Sequence, residues 1–130
     1  MADNETDTAE PPSLLSRVLF GSGLAVLATQ NLRDLDGRIA FADAKGVPLA
    51  ETLVPAASGL LLGGSLGITA WKFPKLSAGS VAAFFIGVTP VMHDFWAVDD
   101  EQSGEELTSF LQNTALLGAA LAFLHRATEA

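Results

Sequence analysis

The chain contains no cysteine, and charged residues are almost absent from its four longest apolar stretches. Without cysteine it forms no disulfide of its own, offers no thiolate to a metal and carries no thiol redox chemistry. Any redox role must therefore use a bound cofactor or a partner. Lysine is scarce, while 15 acidic residues give the 130-residue chain a formal charge of −8. This balance is typical of a halophilic source and argues against a nucleic-acid partner, which requires basic patches.

Three stretches carry no charge for 17 to 20 residues, and a fourth is interrupted only by Arg17. They are Thr52–Trp71, Leu76–Met92, Leu107–Leu124 and Leu14–Leu32. Because a helix rises about 1.5 Å per residue, each stretch nears the ~30 Å thickness of a hydrocarbon core. Lipid admits only helices and closed barrels, and these stretches lack the alternation of barrel strands. The sequence therefore predicts an all-α fold, an integral membrane four-helix bundle.

The same stretches predict the domain organisation. We expect a disordered acidic N-terminal tail over residues 1–12, because this segment has too little apolar surface to support a core. A four-helix transmembrane domain is expected over residues 13–126. Its spans are predicted at about residues 14–32, 49–71, 74–92 and 106–124. A soluble bundle is the alternative, but it would carry a charged stripe along every helix, and that stripe is absent.

The basic residues predict an orientation in the membrane. The N-terminal tail lacks the positively charged start of a secretory signal, and the turn Trp71–Lys75 holds two lysines and no acid. Because lysine and arginine concentrate in cytoplasmic loops, we expect a multi-pass protein of the cell (plasma) membrane with both termini cytoplasmic. Arg38–Ala44, in the connection before the second span, is expected to form a short interfacial helix.

Small residues recur every four positions in all four predicted spans. Lipid removes the hydrophobic drive between helices, so close approach at small side chains must supply much of the packing. We therefore expect these ridges to hold the bundle together. The ridges are Gly21 and Ala25; Gly59, Gly63 and Gly67; Gly79, Ala83 and Gly87; and Thr114, Gly118 and Ala122.

Four polar residues in or beside the spans are candidates for binding a cofactor: Arg17, Glu51, His93 and Asn113. A charge within a span costs about 2.5–3.5 kcal/mol, so Arg17 either reaches back to the lipid headgroups or holds an anionic or quinone-like headgroup inside the bundle. Asn113 either bonds to another helix or faces a small pocket. His93 is either structural or, with Asp94 beside it, relays protons at the membrane surface.

Haem and metal sites are disfavoured by the positions of the ligands. In the predicted topology His93 and His125 lie near opposite membrane faces, about 25 Å apart by helix rise. They cannot both bind one haem within a monomer. The sequence also shows no phosphate loop, zinc-ligand spacing or nucleophile elbow. We therefore predict no metal site and identify no catalytic constellation.

Short motifs follow one another along nearly the whole chain, from about Leu14 to Leu124. They are Arg17–Gly21, Ala44–Pro48, Gly59–Gly63, His93–Trp96, Phe110–Asn113 and Leu116–Gly118. In their order and spacing they resemble the DoxX family of small four-span membrane proteins. The resemblance implies an inner-membrane four-helix protein, in a family named for subunits of a terminal quinol oxidase and of a thiosulfate:quinone oxidoreductase.

The leading hypothesis is therefore a DoxX-like accessory or quinone-interacting subunit of a membrane redox complex. Its partners would be the lipid bilayer and either redox-complex subunits or further copies of itself. A quinone suits a cysteine-free bundle with few interior polar groups, although the residues alone do not identify the cofactor. The alternative is a non-enzymatic membrane scaffold or small transporter-like bundle.

Overall fold

The computed structural model describes residues 10–94, 96 and 99–129. Most of the predicted disordered tail, residues 1–9, thus lies outside the described residues. Within the described part the chain forms five helices and no strand. The helices are α1 (Leu14–Arg33), α2 (Leu35–Ala44), α3 (Ala50–Ala70), α4 (Pro74–Met92) and α5 (Asp100–Thr128).

Three of these helices are long and apolar enough to cross a membrane: α3, α4 and the Ser103–Thr128 part of α5. The all-α prediction is confirmed, and the three apolar helices indicate a membrane protein. Helix α1 is not among the three, because Arg17 lies near its start and Gln30 and Asn31 lie near its end. A role for α1 as a fourth span stays a prediction.

Helix boundaries follow from local chemistry. The hydroxyl of Ser13 accepts a hydrogen bond from the Ser16 amide at 3.1 Å and so caps the start of α1. Helix α4 begins at Pro74, where a missing amide hydrogen costs nothing. Between α3 and α4 the chain reverses through Trp71 and Phe73, which both have left-handed backbones with φ of 54° and 47°. The tight turn makes α3 and α4 antiparallel neighbours.

Helix α3 packs along both α1 and α4, and α4 packs in turn on α5. A Cβ atom at Gly21 would lie 2.7 Å from the Ser65 carbonyl oxygen, so glycine allows α1 to approach α3 closely. At Gly64 a Cβ atom would lie 2.8 Å from the Ser77 carbonyl oxygen of α4. These two glycines are therefore required where the helices cross.

The predicted ridges contribute less to this packing than expected. A Cβ atom would meet nothing within 4 Å at Gly59, Gly63, Gly79, Gly87 or Gly118. The contact between α3 and α4 uses Gly67 of a predicted ridge and Gly64, which lies outside the predicted ridges. A four-residue spacing places residues on one helix face but does not say whether a neighbour covers that face. These five glycines of the predicted ridges accordingly do not lie at helix crossings.

The exterior of the helices is strongly apolar. Leu15, Leu19 and Val26 of α1 are 69%, 65% and 57% exposed, and Ile86 of α4 is 59% exposed. Only 11% of the apolar window of α5 is buried. The buried core contains mainly small or medium side chains, with Leu24, Leu61, Ile68, Val81 and Phe85 as its largest members.

Candidate functional site

A cavity of about 530 Å³ lies between the helices. Its walls come from the end of α1, from α2, from the first half of α3, from the second half of α4 and from the first half of α5. Most lining side chains are apolar, as is usual in small-molecule sites of 300–1,000 Å³. The ionisable and amide side chains among them are Gln30, Asn31, Arg38, His93, Glu106 and Asn113.

His93 and Glu106 face each other across the cavity wall. The distance from His93 Nδ1 to Glu106 Oε2 is 3.6 Å, and the two side chains are 25% and 19% exposed. Both atoms are buried, and neither has a hydrogen-bond partner within the described residues. A buried polar atom without a partner costs about 1–3 kcal/mol. This pair therefore offers unused hydrogen-bonding capacity to a ligand.

The helix ends explain how this pair forms. His93 directly follows α4, where its amide donates to the Thr89 carbonyl oxygen at 3.1 Å. Glu106 lies in the second turn of α5, and α4 and α5 pack side by side. Asn113 follows Glu106 by seven residues, which is close to two helical turns, so both residues lie on the cavity face of α5.

A salt bridge lies beside the pair. Lys45 Nζ is 2.5 Å from Asp94 Oδ1, with the two side chains 17% and 20% exposed. The hydrogen bond from Lys45 holds the pKa of Asp94 below its ordinary value of 3.8. The carboxylate that faces His93 is therefore Glu106, while the adjacent Asp94 binds Lys45. We call the Lys45–Asp94 pair the strap, because it joins the segment after α2 to the segment after α4.

The structure brings together two of the four residues singled out in the sequence. His93 and Asn113 both line the cavity. Arg17 lies at the other end of the helices, where its Nε donates to the Pro12 carbonyl oxygen at 3.0 Å and its Nη1 donates to the Thr69 carbonyl oxygen at 3.1 Å. Glu51 lines a separate hollow beside α2. Arg17 is thus remote from the cavity, and Glu51 is not among its lining residues.

Sequence reasoning missed Arg38 and Glu106 as cavity residues. Glu106 had a detectable signal, because its seven-residue spacing from Asn113 places both on one helix face. No such signal existed for Arg38, because α2 could have packed on any side of the long helices. Among the described residues, no group of three or more His, Cys, Asp or Glu side chains could hold a metal ion. The site is thus an apolar chamber with a polar end.

The family comparison gives a result different from the one expected. A family model described as HR-like lesion-inducing matches residues 45–126, which is more than half of the chain. The resemblance to the DoxX family is therefore wrong, and nothing in the comparisons supports it. The motifs behind it were short and glycine-rich, and such patterns recur wherever membrane helices pack closely. No curated protein and no solved structure matches the chain.

Proposed function

The chain belongs to the HR-like lesion-inducing family, and we propose that it is a four-span integral membrane protein that binds a lipophilic molecule with a hydrogen-bonding headgroup. The family description names lesion induction and no ligand or reaction, so the molecular proposal rests on the cavity. A quinone is the proposed ligand class. The protein would serve as an accessory subunit that holds the quinone for a membrane redox complex.

Three apolar helices and the exposed apolar side chains of α1 support the four-span part of the proposal. Arg17 is compatible with a span, because two backbone carbonyl oxygens accept hydrogen bonds from its guanidinium near the helix end. We further propose the plasma membrane as the location, with both termini in the cytoplasm. The polar end of the cavity would then lie near the outer surface.

The unpartnered His93–Glu106 pair at one end of an apolar cavity carries the ligand proposal. A quinone carbonyl would accept a hydrogen bond from the imidazole, and a quinol hydroxyl would donate one to the carboxylate. Arg38 adds a further donor to the lining, and Asn113 adds another about two helical turns from Glu106. The ring and tail would occupy the apolar remainder, where Leu61, Phe84 and other apolar side chains line the wall.

Quinone titration of the purified protein in lipid nanodiscs tests this proposal. Tryptophan fluorescence reports binding, and we expect saturation. Replacing Glu106 with Gln or His93 with Gln should weaken binding about tenfold, because hydrogen bonds to charged groups contribute about 1.5–3 kcal/mol. His125→Gln is the matched control, since the His125 side chain is 77% exposed and does not line the cavity. No saturable binding, or equal loss in the control, would contradict the proposal.

The second candidate is a membrane scaffold or small transporter-like bundle. The outward-facing glycines favour it, because Gly59, Gly63 and Gly118 have room for another helix to approach. Crosslinking in native membranes separates the candidates. A stable partner with redox centres supports the subunit proposal, whereas copies of this chain alone support the scaffold.

A further inference from the structure

We infer that the ligand reaches the cavity sideways from the lipid, through the seam between α1 and α5. The ligand would then be a molecule dissolved in the bilayer rather than a solute taken up from water. This inference rests on the proposed function, in which the cavity binds a ligand. It adds the route and, with it, the physical class of the ligand.

The other pairs of neighbouring long helices pack closely on each other. Helices α1 and α3 meet at Gly21 and Ser65, and α3 and α4 meet at Gly64 and Ser77, in each case with no room for a Cβ atom. Helices α4 and α5 also pack on each other extensively. At the level of the cavity, Ala28 of α1, Leu61 of α3 and Phe85 of α4 are at most 3% exposed, so the close packing of α3 on its neighbours continues there and leaves little room for a quinone ring.

The fourth seam, between α1 and α5, is closed at one end only. There the rings of Phe20 and Phe123 stack with centroids 4.8 Å apart. Leu27 follows Phe20 by seven residues and Leu116 precedes Phe123 by seven, so both lie about 10 Å beyond the stack. Both leucines line the cavity, and α1 and α5 make few backbone contacts along their length.

The seam is apolar at the level of the two leucines. Leu27 is 47% exposed although it lines the cavity, so it lies at the boundary between the chamber and the outside. Such a passage favours an apolar molecule, because a charged solute would lose its water without gaining a partner.

Helix α2 partly covers the end of the cavity that would face water. Phe41 and Ala42 of α2 lie in the cavity wall, and they are 43% and 1% exposed. Beside α2, the strap of Lys45 and Asp94 joins the segments after α2 and after α4. A solute coming from the water meets α2 and the charged strap, whereas a molecule in the lipid meets neither at the level of Leu27 and Leu116.

A cleavable crosslink across the seam tests the route. Because the chain has no cysteine of its own, the thiol reagent reacts only with the two introduced cysteines. The double variant Leu27→Cys/Leu116→Cys is bridged with a bifunctional thiol reagent that contains a cleavable bond. Stopped-flow mixing with vesicles that carry a long-tailed quinone then measures association. The control is the same double variant modified with a monofunctional reagent of similar size.

We expect the bridge to slow association roughly tenfold relative to the monofunctional control, which carries the same two changes in the cavity wall, because a closed passage limits ligand entry and release. Ligand bound before bridging should leave more slowly by a similar factor, and cleavage should restore both rates. Equal association with and without the bridge would overturn the route. So would faster uptake in Asp94→Asn together with insensitivity to the bridge, because the ligand would then enter past the strap.

The outcomes also separate the route from the proposed function. If the unbridged protein shows no saturable quinone binding, the proposed function fails and this inference fails with it. If the unbridged protein binds saturably and Glu106→Gln weakens binding, but the bridge has no effect on the rates, only the route is wrong.

Discussion

The two ends of the helix assembly differ in whether their polar side chains have hydrogen-bond partners. At the end near the α3–α4 turn, the guanidinium of Arg17 donates to two backbone carbonyl oxygens, and Phe20, Phe123 and Trp71 form an aromatic cluster. At the opposite end, His93 and Glu106 keep buried atoms without partners beside a cavity. The first end is built for stability, while the second leaves hydrogen-bonding capacity unused. Unsatisfied groups in a native structure require an explanation, and ligand binding provides one.

The close approach of α1 to α3 depends on Gly21. Its substitution should lower the free energy of unfolding more than any other change considered. Gly21→Val would drive a side chain into the Ser65 carbonyl oxygen and the Thr69 side chain of α3. We expect a loss of about 3 kcal/mol in the free energy of unfolding. Gly23→Val is the matched control, because a Cβ atom at Gly23 meets nothing within 4 Å. Denaturant unfolding in mild detergent measures both, and similar losses would contradict the assigned crossing of α1 and α3.

Arg17→Gln should have the next largest effect on the free energy of unfolding. It also tests whether Arg17 contributes to stability alone or to quinone binding as well. The variant loses hydrogen bonds from a charged group to Pro12 and Thr69, which should lower the free energy of unfolding by about 2 kcal/mol. Quinone affinity should stay unchanged, because Arg17 is remote from the cavity. A loss of affinity at full stability would return Arg17 to the binding site, as the sequence suggested.

Asp94→Asn should have the smallest effect, and one that depends on pH. The strap lowers the pKa of Asp94 in the folded protein, so its contribution is complete above the ordinary value of 3.8 and is lost as pH falls through the lowered pKa. For a partly exposed pair we expect up to about 1 kcal/mol near neutral pH.

The measurement for the strap compares unfolding of wild type and Asp94→Asn across acidic pH. The difference should be constant from pH 7 down to about 5 and should shrink towards zero below 3.8. Asp43→Asn is the control, because Asp43 lies near the end of α2 and outside the Lys45–Asp94 salt bridge. A difference between wild type and Asp94→Asn that persists at the lowest pH would show that the side chain acts through packing rather than charge.

The candidate site was only partly predictable from single residues. His93 and Asn113 were found because polar groups in or beside apolar stretches are costly and conspicuous. Arg17 and Glu51 were selected on the same grounds, yet neither lines the cavity. Polarity in a span shows that a side chain needs a partner, but not whether that partner is a ligand, a headgroup or a backbone carbonyl. Glu106 was overlooked because an acid at a helix start has a sufficient local explanation.

Composition was enough to establish an all-α chain with long apolar helices, since the exclusion of charge from a stretch of residues depends on no other part of the molecule. Folding settled the rest: which glycines lie at helix crossings and which carboxylate faces His93. Helix periodicity assigns residues to faces, whereas the neighbour that each face meets follows from how the helices pack together.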